Sequence, residues 1–318
     1  MLSVRYNGPF RPDASYAFGV VNVTNRCNLE CRHCFIYRDG NANAAPEDPR
    51  HEPSDDELLE TLTALRDRHG IKVMLWMGGE PMLRRGLVER GVALFESSHV
   101  ITNGTVPLVE LGPRALYVVS LDGPEAENDE VRGDGVYRRV LKNLGRLPEG
   151  LRTPVQVQCT VTRKNQHALA ELVAALKETA VQWMTFTFHV PAANDQTGCA
   201  WPTLEERLVA VEEVRRLKRA HPGFIRNSEA ALDLMTPEQA PAITARCPAR
   251  AHVLSLYLEE QGFTTPHVCC YGNDVDCSRC GAWVVFQLAA LERARAEGKG
   301  PASRLATYQA FVASTALG

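Results

Sequence analysis

Residues 20–37 read VVNVTNRCNLECRHCFIY, and this stretch decides how the rest of the chain is interpreted. A short apolar strand runs into a polar turn with three cysteines, Cys27, Cys31 and Cys34, spaced as C-x3-C-x2-C. Three thiolates this close in sequence are suited to hold three irons of a [4Fe-4S] cluster, whereas most such clusters use four cysteines. The pattern therefore predicts a cluster whose fourth iron lacks a protein ligand and is open to another molecule.

A zinc site is the main alternative for this loop, because His33 is a possible fourth ligand of a tetrahedral set. His33 directly precedes Cys34, however, so simultaneous ligation of one ion by both side chains is awkward. Incidental core cysteines are a weaker alternative, since the residues between them are polar. The pattern favours the cluster.

Strand and helix patterns alternate six times between residues 17 and 220. Capping-box patterns at Ser54–Glu57 and Thr203–Glu206 mark the starts of two of the helices. Such alternation predicts a parallel sheet with helices outside it, and active sites at the carboxyl ends of the strands. Six units are too few for a closed eight-stranded barrel, so the predicted fold class is α/β, a partial (β/α)6 TIM-like barrel.

The expected domain organisation has five parts. They are an N-terminal leader or capping strand (1–16), the partial barrel (17–220), a connecting helical segment (221–245), a small cysteine-rich module (246–281) and a C-terminal helix (282–318). Residues 38–53 are rich in Asn, Ala, Pro and Asp and are expected to form a loop.

Two short motifs follow the next predicted strands. Gly78, Gly79, Glu80 and Pro81 come after the second strand, and Asn103 and Gly104 come after the third. Glycine permits a close approach of the backbone to a ligand, although each motif taken alone is also an ordinary turn.

The cysteine loop and the Gly78–Pro81 motif, in this order, resemble the signatures of the radical S-adenosylmethionine (radical SAM) superfamily. The resemblance implies that Cys27, Cys31 and Cys34 hold a [4Fe-4S] cluster and that SAM chelates its open iron. His33 fits the position that is usually aromatic in this family, and Gly78 to Pro81 match the motif that binds the SAM amino group. A flavodoxin- or ferredoxin-like donor would reduce the cluster, which cleaves SAM to a 5′-deoxyadenosyl radical that abstracts hydrogen from, or adds to, the substrate.

Further cofactor contacts are implied by the same resemblance at the ends of later strands. These candidate SAM-binding residues are Asn103, Ser120, Asp122, Thr160, Thr162 and Arg163. Turn or capping chemistry is the alternative role for each of them.

The C-terminal cysteines form a second group, which resembles the auxiliary-cluster domain of SPASM/twitch radical SAM enzymes. By this resemblance, a second [4Fe-4S] cluster would be held by Cys247, one of Cys269 and Cys270, Cys277 and Cys280. Six residues, where the group usually has four, separate Gly262 from the next cysteine. Structural zinc, a metal-free cap and an adenosylhopane synthase-type arrangement remain alternatives.

Composition limits the remaining function classes. A net charge of −3 argues against a general phosphate-binding surface for nucleic acid. We find no signal peptide and no membrane-length apolar stretch, so the ten cysteines are interpreted mainly as metal ligands of a cytoplasmic protein. The sequence predicts an enzyme with a small-molecule substrate; a peptide-modifying enzyme and a non-catalytic metal-binding scaffold are the alternatives.

Overall fold

The computed structural model describes residues 1–37 and 52–300. Most of the expected loop at 38–53 and the end of the expected C-terminal helix, from residue 301 onward, lie outside these ranges. Within them, no helix is both long and apolar enough to cross a membrane.

Nine strands and ten α-helices lie in the described ranges. The strands are β1 (Ser3–Arg5), β2 (Phe18–Asn22), β3 (Val73–Met77), β4 (Ser97–Thr102), β5 (Ala115–Ser120), β6 (Val155–Val161), β7 (Trp183–Phe188), β8 (Val253–Glu259) and β9 (Gly262–Thr264). The helices are α1 (Asp55–His69), α2 (Arg85–Gly91), α3 (Glu125–Arg132), α4 (Val136–Leu144), α5 (Leu169–Lys177), α6 (Leu204–Ala220), α7 (Glu229–Asp233), α8 (Ala240–Ala245), α9 (Ala249–His252) and α10 (Trp283–Ala296).

The chain divides into two compact units. The first consists of Met1–Val119, Arg146–Pro154 and Arg250–Val275, and the second consists of Ser120–Gly145, Val155–Ala249 and Asp276–Gly318. Each unit is described separately below.

A mostly parallel sheet forms the first unit, with strand order β1-β9-β8-β2-β3-β4-β5. Among the strand pairs of this unit in the described ranges, only β8–β9 is antiparallel. All five residues of β2 are buried, which is typical of a central strand covered on both faces. Because β2, β3 and β4 are parallel neighbours, the segments that follow them emerge at the same sheet edge.

Helix α1 begins where the sequence predicts. Ser54 and Glu57 form the reciprocal capping box, and Gly70 ends the helix in the left-handed conformation with φ 69°. Leu58, Leu62 and Leu65 on its inner face are buried, as the helical spacing predicts.

The second unit is built around the parallel pair β6–β7. Trp183, Phe186 and Phe188 of β7 are buried in its core. Thr203 caps α6 by accepting the backbone N–H of Glu206 at 3.3 Å, as the second capping pattern predicts. Helix α10 packs on α7 and α8.

Two features differ from the expected organisation. Residues 103–114, between β4 and β5, contain no helix, so the third unit of the predicted alternation is only a strand and a loop. Pro107 and Pro113 lie in this segment, and proline disfavours a helix interior.

The expected boundary of the cysteine module also differs. Residues 250–275 belong to the first unit, where β8 pairs with β2 and β9 pairs with β1, whereas residues from Asp276 onward belong to the second. The expected leader is therefore a sheet strand in part. The apolar sequence VLSLYL of β8 suits a buried parallel strand. Its pairing with β2 joins residues more than 200 positions apart, so no local sequence signal indicates it.

Candidate functional site

The cysteine loop follows β2 and is bonded to the next motif through the backbone. Gly79 N–H donates to Thr24 O, and Glu80 N–H donates to Arg26 O, both at 2.8 Å. The last two cysteines are joined by a turn, in which Cys34 N–H donates to Cys31 O at 3.0 Å. All three thiols are partly exposed, which leaves them accessible to a cluster.

Gly79 has no room for a side chain. A Cβ at this position would lie 2.0 Å from Arg26 O and 2.2 Å from Tyr37 Oη. Gly78 has φ +145°, and its Cβ would lie 2.4 Å from Thr24 O. The motif therefore needs both glycines to pack its backbone against the cysteine loop.

Glu80 is 1% exposed and joins the ends of β3 and β4. Oε1 accepts Met82 N–H at 3.0 Å and Thr102 Oγ1–H at 2.7 Å, while Oε2 accepts Asn103 N–H at 2.7 Å. Both carboxylate oxygens are thus engaged by protein donors. This arrangement positions the loop.

Asn103 connects this network to the first cysteine. Its Nδ2 donates to Asn28 Oδ1 at 2.9 Å and lies 3.9 Å from Cys27 Sγ, within the range of an N–H···S hydrogen bond. Thr105 binds both asparagines, by accepting from Asn28 Nδ2 and by donating to Asn103 Oδ1. Sequence reasoning missed Asn28 and Thr105, whose polarity alone does not distinguish them from other loop residues.

Burial and nearby acidic groups act on the Cys27 thiol. Burial raises the pKa of its thiol, Leu29 N–H lowers it, and the charges of Glu80 and Cys34 raise it further. Burial, followed by the charges of Cys27 and Cys34, likewise raises the pKa of Tyr37. Tyr37 Oη donates to Asn25 O at 2.6 Å and so holds the end of the loop against its start.

The Glu52 side chain forms hydrogen bonds to the start of the cysteine loop, a set of contacts that we call the Glu52 clamp and that the sequence did not predict. Glu52 Oε1 accepts Thr24 Oγ1–H at 2.5 Å and Asn25 N–H at 3.1 Å, and Oε2 accepts Arg26 Nε–H at 3.3 Å. Arg84, three residues after Pro81, donates to Val23 O at 3.0 Å. A charged residue beside a loop is common in any sequence, so no motif indicates this role.

The predicted residues after β5 and β6 lie in the second unit. Asp122 is fully buried, pairs with Arg132 Nε at 2.7 Å and accepts Thr160 N–H at 2.7 Å. Asn165 Oδ1 accepts Thr162 N–H at 2.7 Å, and its Nδ2 donates to Asp122 O. These contacts bring Asp122, Thr160 and Thr162 together as a structural network.

Ser120 and Arg163 are not part of that network. Ser120 is partly exposed, and the exposed side chain of Arg163 makes no hydrogen bond or ion pair within the described ranges. His33, in the first unit, is partly exposed within the cysteine loop.

Cys269 in the first unit starts a tight turn. Gly272 N–H donates to Cys269 O at 2.9 Å, and Tyr271 N–H donates to Cys269 Sγ at 3.4 Å. Backbone N–H groups directed at a cysteine sulfur are a feature of metal-binding turns. The Tyr271 ring lies 4.9 Å from that of Phe35, so this turn packs against the cysteine loop.

Cys277 and Cys280 lie in the second unit, on a turn at the carboxyl end of β7. Cys280 N–H donates to Cys277 O at 3.3 Å, and Phe188 N–H donates to Gly281 O at 3.0 Å. A Cβ on Gly281 would lie 2.5 Å from the Cβ of Phe188, so this glycine is required by the close approach. Cys247, in the same unit, is partly exposed between α8 and α9.

No three His, Cys, Asp or Glu side chains in the described ranges converge closely enough to hold one metal ion. A [4Fe-4S] cluster places each thiolate on a different iron, so its ligands need not converge on one point. Three accessible thiols, an N–H group directed at Cys27 and the close backbone packing at Gly79 fit such a cluster.

The fold and this site define an α/β protein with a cysteine-based cofactor site at the carboxyl ends of parallel strands. Residues 21–173 match the family model of the radical SAM superfamily. They form a radical SAM domain, and radical SAM relatives of this domain include enzymes. The family uses a [4Fe-4S] cluster and SAM.

Curated relatives support this assignment. Pre-heme d1 synthase of Dinoroseobacter shibae is 31% identical over 48% of this chain and 38% of its own length. Fe-coproporphyrin III synthase of Methanosarcina barkeri is 30% identical over 55% of this chain and 44% of its own. The chain thus matches less than half the length of these two relatives.

Solved structures share the fold. Streptococcus suis SuiB bound to S-adenosylmethionine has a TM-score of 0.58 at 15% identity, over 76% of this chain and 58% of that one. Native anSMEcpe with bound AdoMet has a TM-score of 0.52 at 17% identity, over 71% and 68%. These likenesses agree with the predicted α/β class with a mostly parallel sheet.

Proposed function

We propose that this chain cleaves SAM reductively and directs the resulting radical at a small-molecule substrate. The observation that carries the proposal is the hydrogen-bonded unit formed by the cysteine loop, the Gly78–Pro81 motif and Asn103. When bound, the cluster and SAM supply a 5′-deoxyadenosyl radical that abstracts hydrogen from, or adds to, the substrate.

The residues of the first unit have separate tasks in this proposal. Cys27, Cys31 and Cys34 hold the cluster, and the Gly78–Gly79 backbone lets SAM approach closely. Glu80 positions the loop through Met82, Thr102 and Asn103, and it remains a predicted contact of the SAM amino group. Asn103 stabilises the Cys27 thiolate through its side-chain N–H.

Relatives favour a small molecule as the substrate. The two curated relatives described above carry names of tetrapyrrole synthases, and a probable GTP 3′,8-cyclase of Methanocella arvoryzae is 33% identical over 43% of this chain. SuiB bound to precursor peptide SuiA resembles the chain at only 14% identity, which carries the fold alone. A peptide is therefore the second candidate.

The C-terminal cysteines are proposed to bind a second iron–sulfur cluster. Of the adjacent pair, we assign Cys269 to this role, because Tyr271 N–H is directed at its sulfur. His33, Ser120, Asp122, Thr160, Thr162 and Arg163 remain predicted cofactor contacts.

Anaerobic reconstitution with iron and sulfide tests the first cluster. Separate alanine variants of Cys27, Cys31 and Cys34 should lose about four irons per chain, whereas the matched control Cys199→Ala should retain them. The reconstituted protein should bind SAM and form 5′-deoxyadenosine with dithionite. Binding of iron without SAM binding or 5′-deoxyadenosine would leave a non-catalytic scaffold.

Substrate class is tested by the increase in 5′-deoxyadenosine over the substrate-free background. GTP is the small-molecule probe, because a relative is named as a probable GTP 3′,8-cyclase, and a synthetic peptide is the comparison. Stimulation by the peptide alone would overturn the proposed substrate class without affecting the SAM chemistry.

A further inference from the structure

Arg207 on α6 is buried against the C-terminal cysteine turn. It is 1% exposed, and its guanidinium donates to the turn's backbone: Nη1 reaches Cys280 O at 2.8 Å and Arg279 O at 3.3 Å. Nη2 donates to Met235 O at 3.2 Å. All its hydrogen-bond acceptors are thus peptide carbonyls of the second unit.

Carbonyl oxygens satisfy N–H donors without neutralising the positive charge. No carboxylate lies within 4.0 Å of Arg207 in the part of the chain that the structure describes, and its buried Nε has no hydrogen-bond partner there. Arg132 and Arg215, which are also buried, instead pair with Asp122 and with Glu229, respectively. A buried charge without a counter-charge is costly, so Arg207 requires an explanation.

A cysteine of the turn itself can supply negative charge that acts on Arg207, namely Cys280. Cys280 is 8% exposed, and the carbonyl that receives the shortest Arg207 hydrogen bond is its own. Cysteine binds metal as the thiolate, so a metal-loaded turn carries negative charge from Cys277 and Cys280 on the turn whose backbone the guanidinium contacts.

We propose that Arg207 is the fixed counter-charge of metal-bound Cys277 and Cys280 and a positioning residue for their turn. The inference rests on the proposed second cluster. A cluster's reduction potential depends on nearby charge, so Arg207 makes that cluster easier to reduce. Its hydrogen bonds to Arg279 O and Cys280 O hold the turn in place for ligation, and the bond to Met235 O fixes the guanidinium.

The test uses the full chain with Cys27, Cys31 and Cys34 replaced by alanine, so that only the C-terminal cluster is reconstituted. In this background Arg207→Gln removes the charge but keeps an amide donor, and Arg207→Lys keeps the charge. Arg216→Gln is the matched control, because Arg216 lies on the same helix and its side chain is 61% exposed. Redox titration followed by electron paramagnetic resonance measures the potential, and iron release to EDTA measures retention.

Arg207→Gln should lower the reduction potential and release iron at least threefold faster, while Arg207→Lys and Arg216→Gln keep the original potential. A folded Arg207→Gln variant with unchanged reduction potential and unchanged iron release would show that Arg207 has only a structural role, and this would overturn the inference. If Arg207→Gln fails to fold, a folded Arg207→Lys supports the need for charge, and failure of both overturns it.

A separate control distinguishes failure of the second cluster from failure of this inference. Adding Cys277→Ala and Cys280→Ala to the same background should abolish the remaining iron. Undiminished iron in that variant would refute the second cluster itself, whatever Arg207 does.

Discussion

The Glu80 carboxylate accepts the backbone N–H of Asn103 at 2.7 Å, and this bond ties the loop after β3 to the loop after β4. Asn103 in turn directs its side-chain N–H at Cys27. A buried carboxylate therefore sets the geometry of a loop that we propose to hold the cluster and SAM.

Replacing Glu80 by Gln tests this connection. Three donors face its two oxygens, so an amide N–H₂ in place of one oxygen would meet a donor and leave it unsatisfied. We expect Glu80→Gln to lower the free energy of unfolding by about 2 kcal/mol and SAM affinity by about tenfold. Urea denaturation and equilibrium SAM binding measure these effects.

Glu89→Gln is the matched control for that substitution, since Glu89 forms an exposed pair with Arg85. Its effect on stability should stay below about 0.5 kcal/mol. If Glu80→Gln changed stability and SAM affinity as little as Glu89→Gln does, Glu80 would have no positioning role.

Gly79→Ala should separate the two motifs. The added Cβ would lie 2.0 Å from Arg26 O, so either the cysteine loop or the motif must shift. We expect a loss of about 1–3 kcal/mol in stability and reduced iron retention, measured by iron analysis after reconstitution. Gly223→Ala has open space around its Cβ and should retain the iron; equal retention by Gly79→Ala would show that the close packing is dispensable.

The buried pair of Asp122 and Arg132 should dominate the stability of its network. Arg132→Met leaves the fully buried Asp122 carboxylate without its cation and should cost about 3–5 kcal/mol. Asp122→Asn added to Arg132→Met should recover part of that loss, as measured by urea denaturation in a double-mutant cycle. Strictly additive losses would mean that the two side chains are not coupled.

The exposed pair of Arg138 and Glu125 provides the comparison for that cycle. Its side chains are 78% and 44% exposed, so solvent screens their interaction. The corresponding substitutions should cost about 0–1 kcal/mol.

His99 should make the fold sensitive to mild acid. Burial lowers its pKa to about 4, so as the pH falls below about 6.5 the unfolded chain takes up a proton before the folded one does. Its contribution to stability is present above about pH 6.5 and is lost as the pH falls toward 4, for a total of roughly 3 kcal/mol.

His99→Leu should remove this dependence in urea denaturation of the apo protein between pH 7 and 4. The exposed His267 is the control, and His267→Leu should keep the pH dependence of the parent. If the free energy of unfolding of His99→Leu still depended on pH as in the parent, another titrating group would be responsible for that dependence.

Much of the first unit's site was predictable because its residues lie in short contiguous motifs after apolar strands. Cys27, Cys31, Cys34 and Gly78–Pro81 need only local order and the rule that parallel strands end at one edge. The Glu52 clamp and the Asn28–Thr105 bond were not predictable, since each joins residues far apart in sequence that belong to no motif.

The domain boundaries show the same division. The alternation of strands and helices predicts β2 to β7, but the placement of β8 beside β2 depends on a pairing across more than 200 residues. The cysteine pattern alone suggested one separate module at residues 246–281, whereas these residues are divided between the two units.

The sequence by itself determined the three-cysteine loop, the class of fold and the family of the domain at residues 21–173, because those depend on residue type and spacing along the chain. Only the tertiary structure decided that Glu80 faces protein donors, that β8 completes the sheet beside β2 and that Arg207 is buried on the Cys277–Cys280 turn. The physical reason is that burial and charge compensation depend on which distant residues meet.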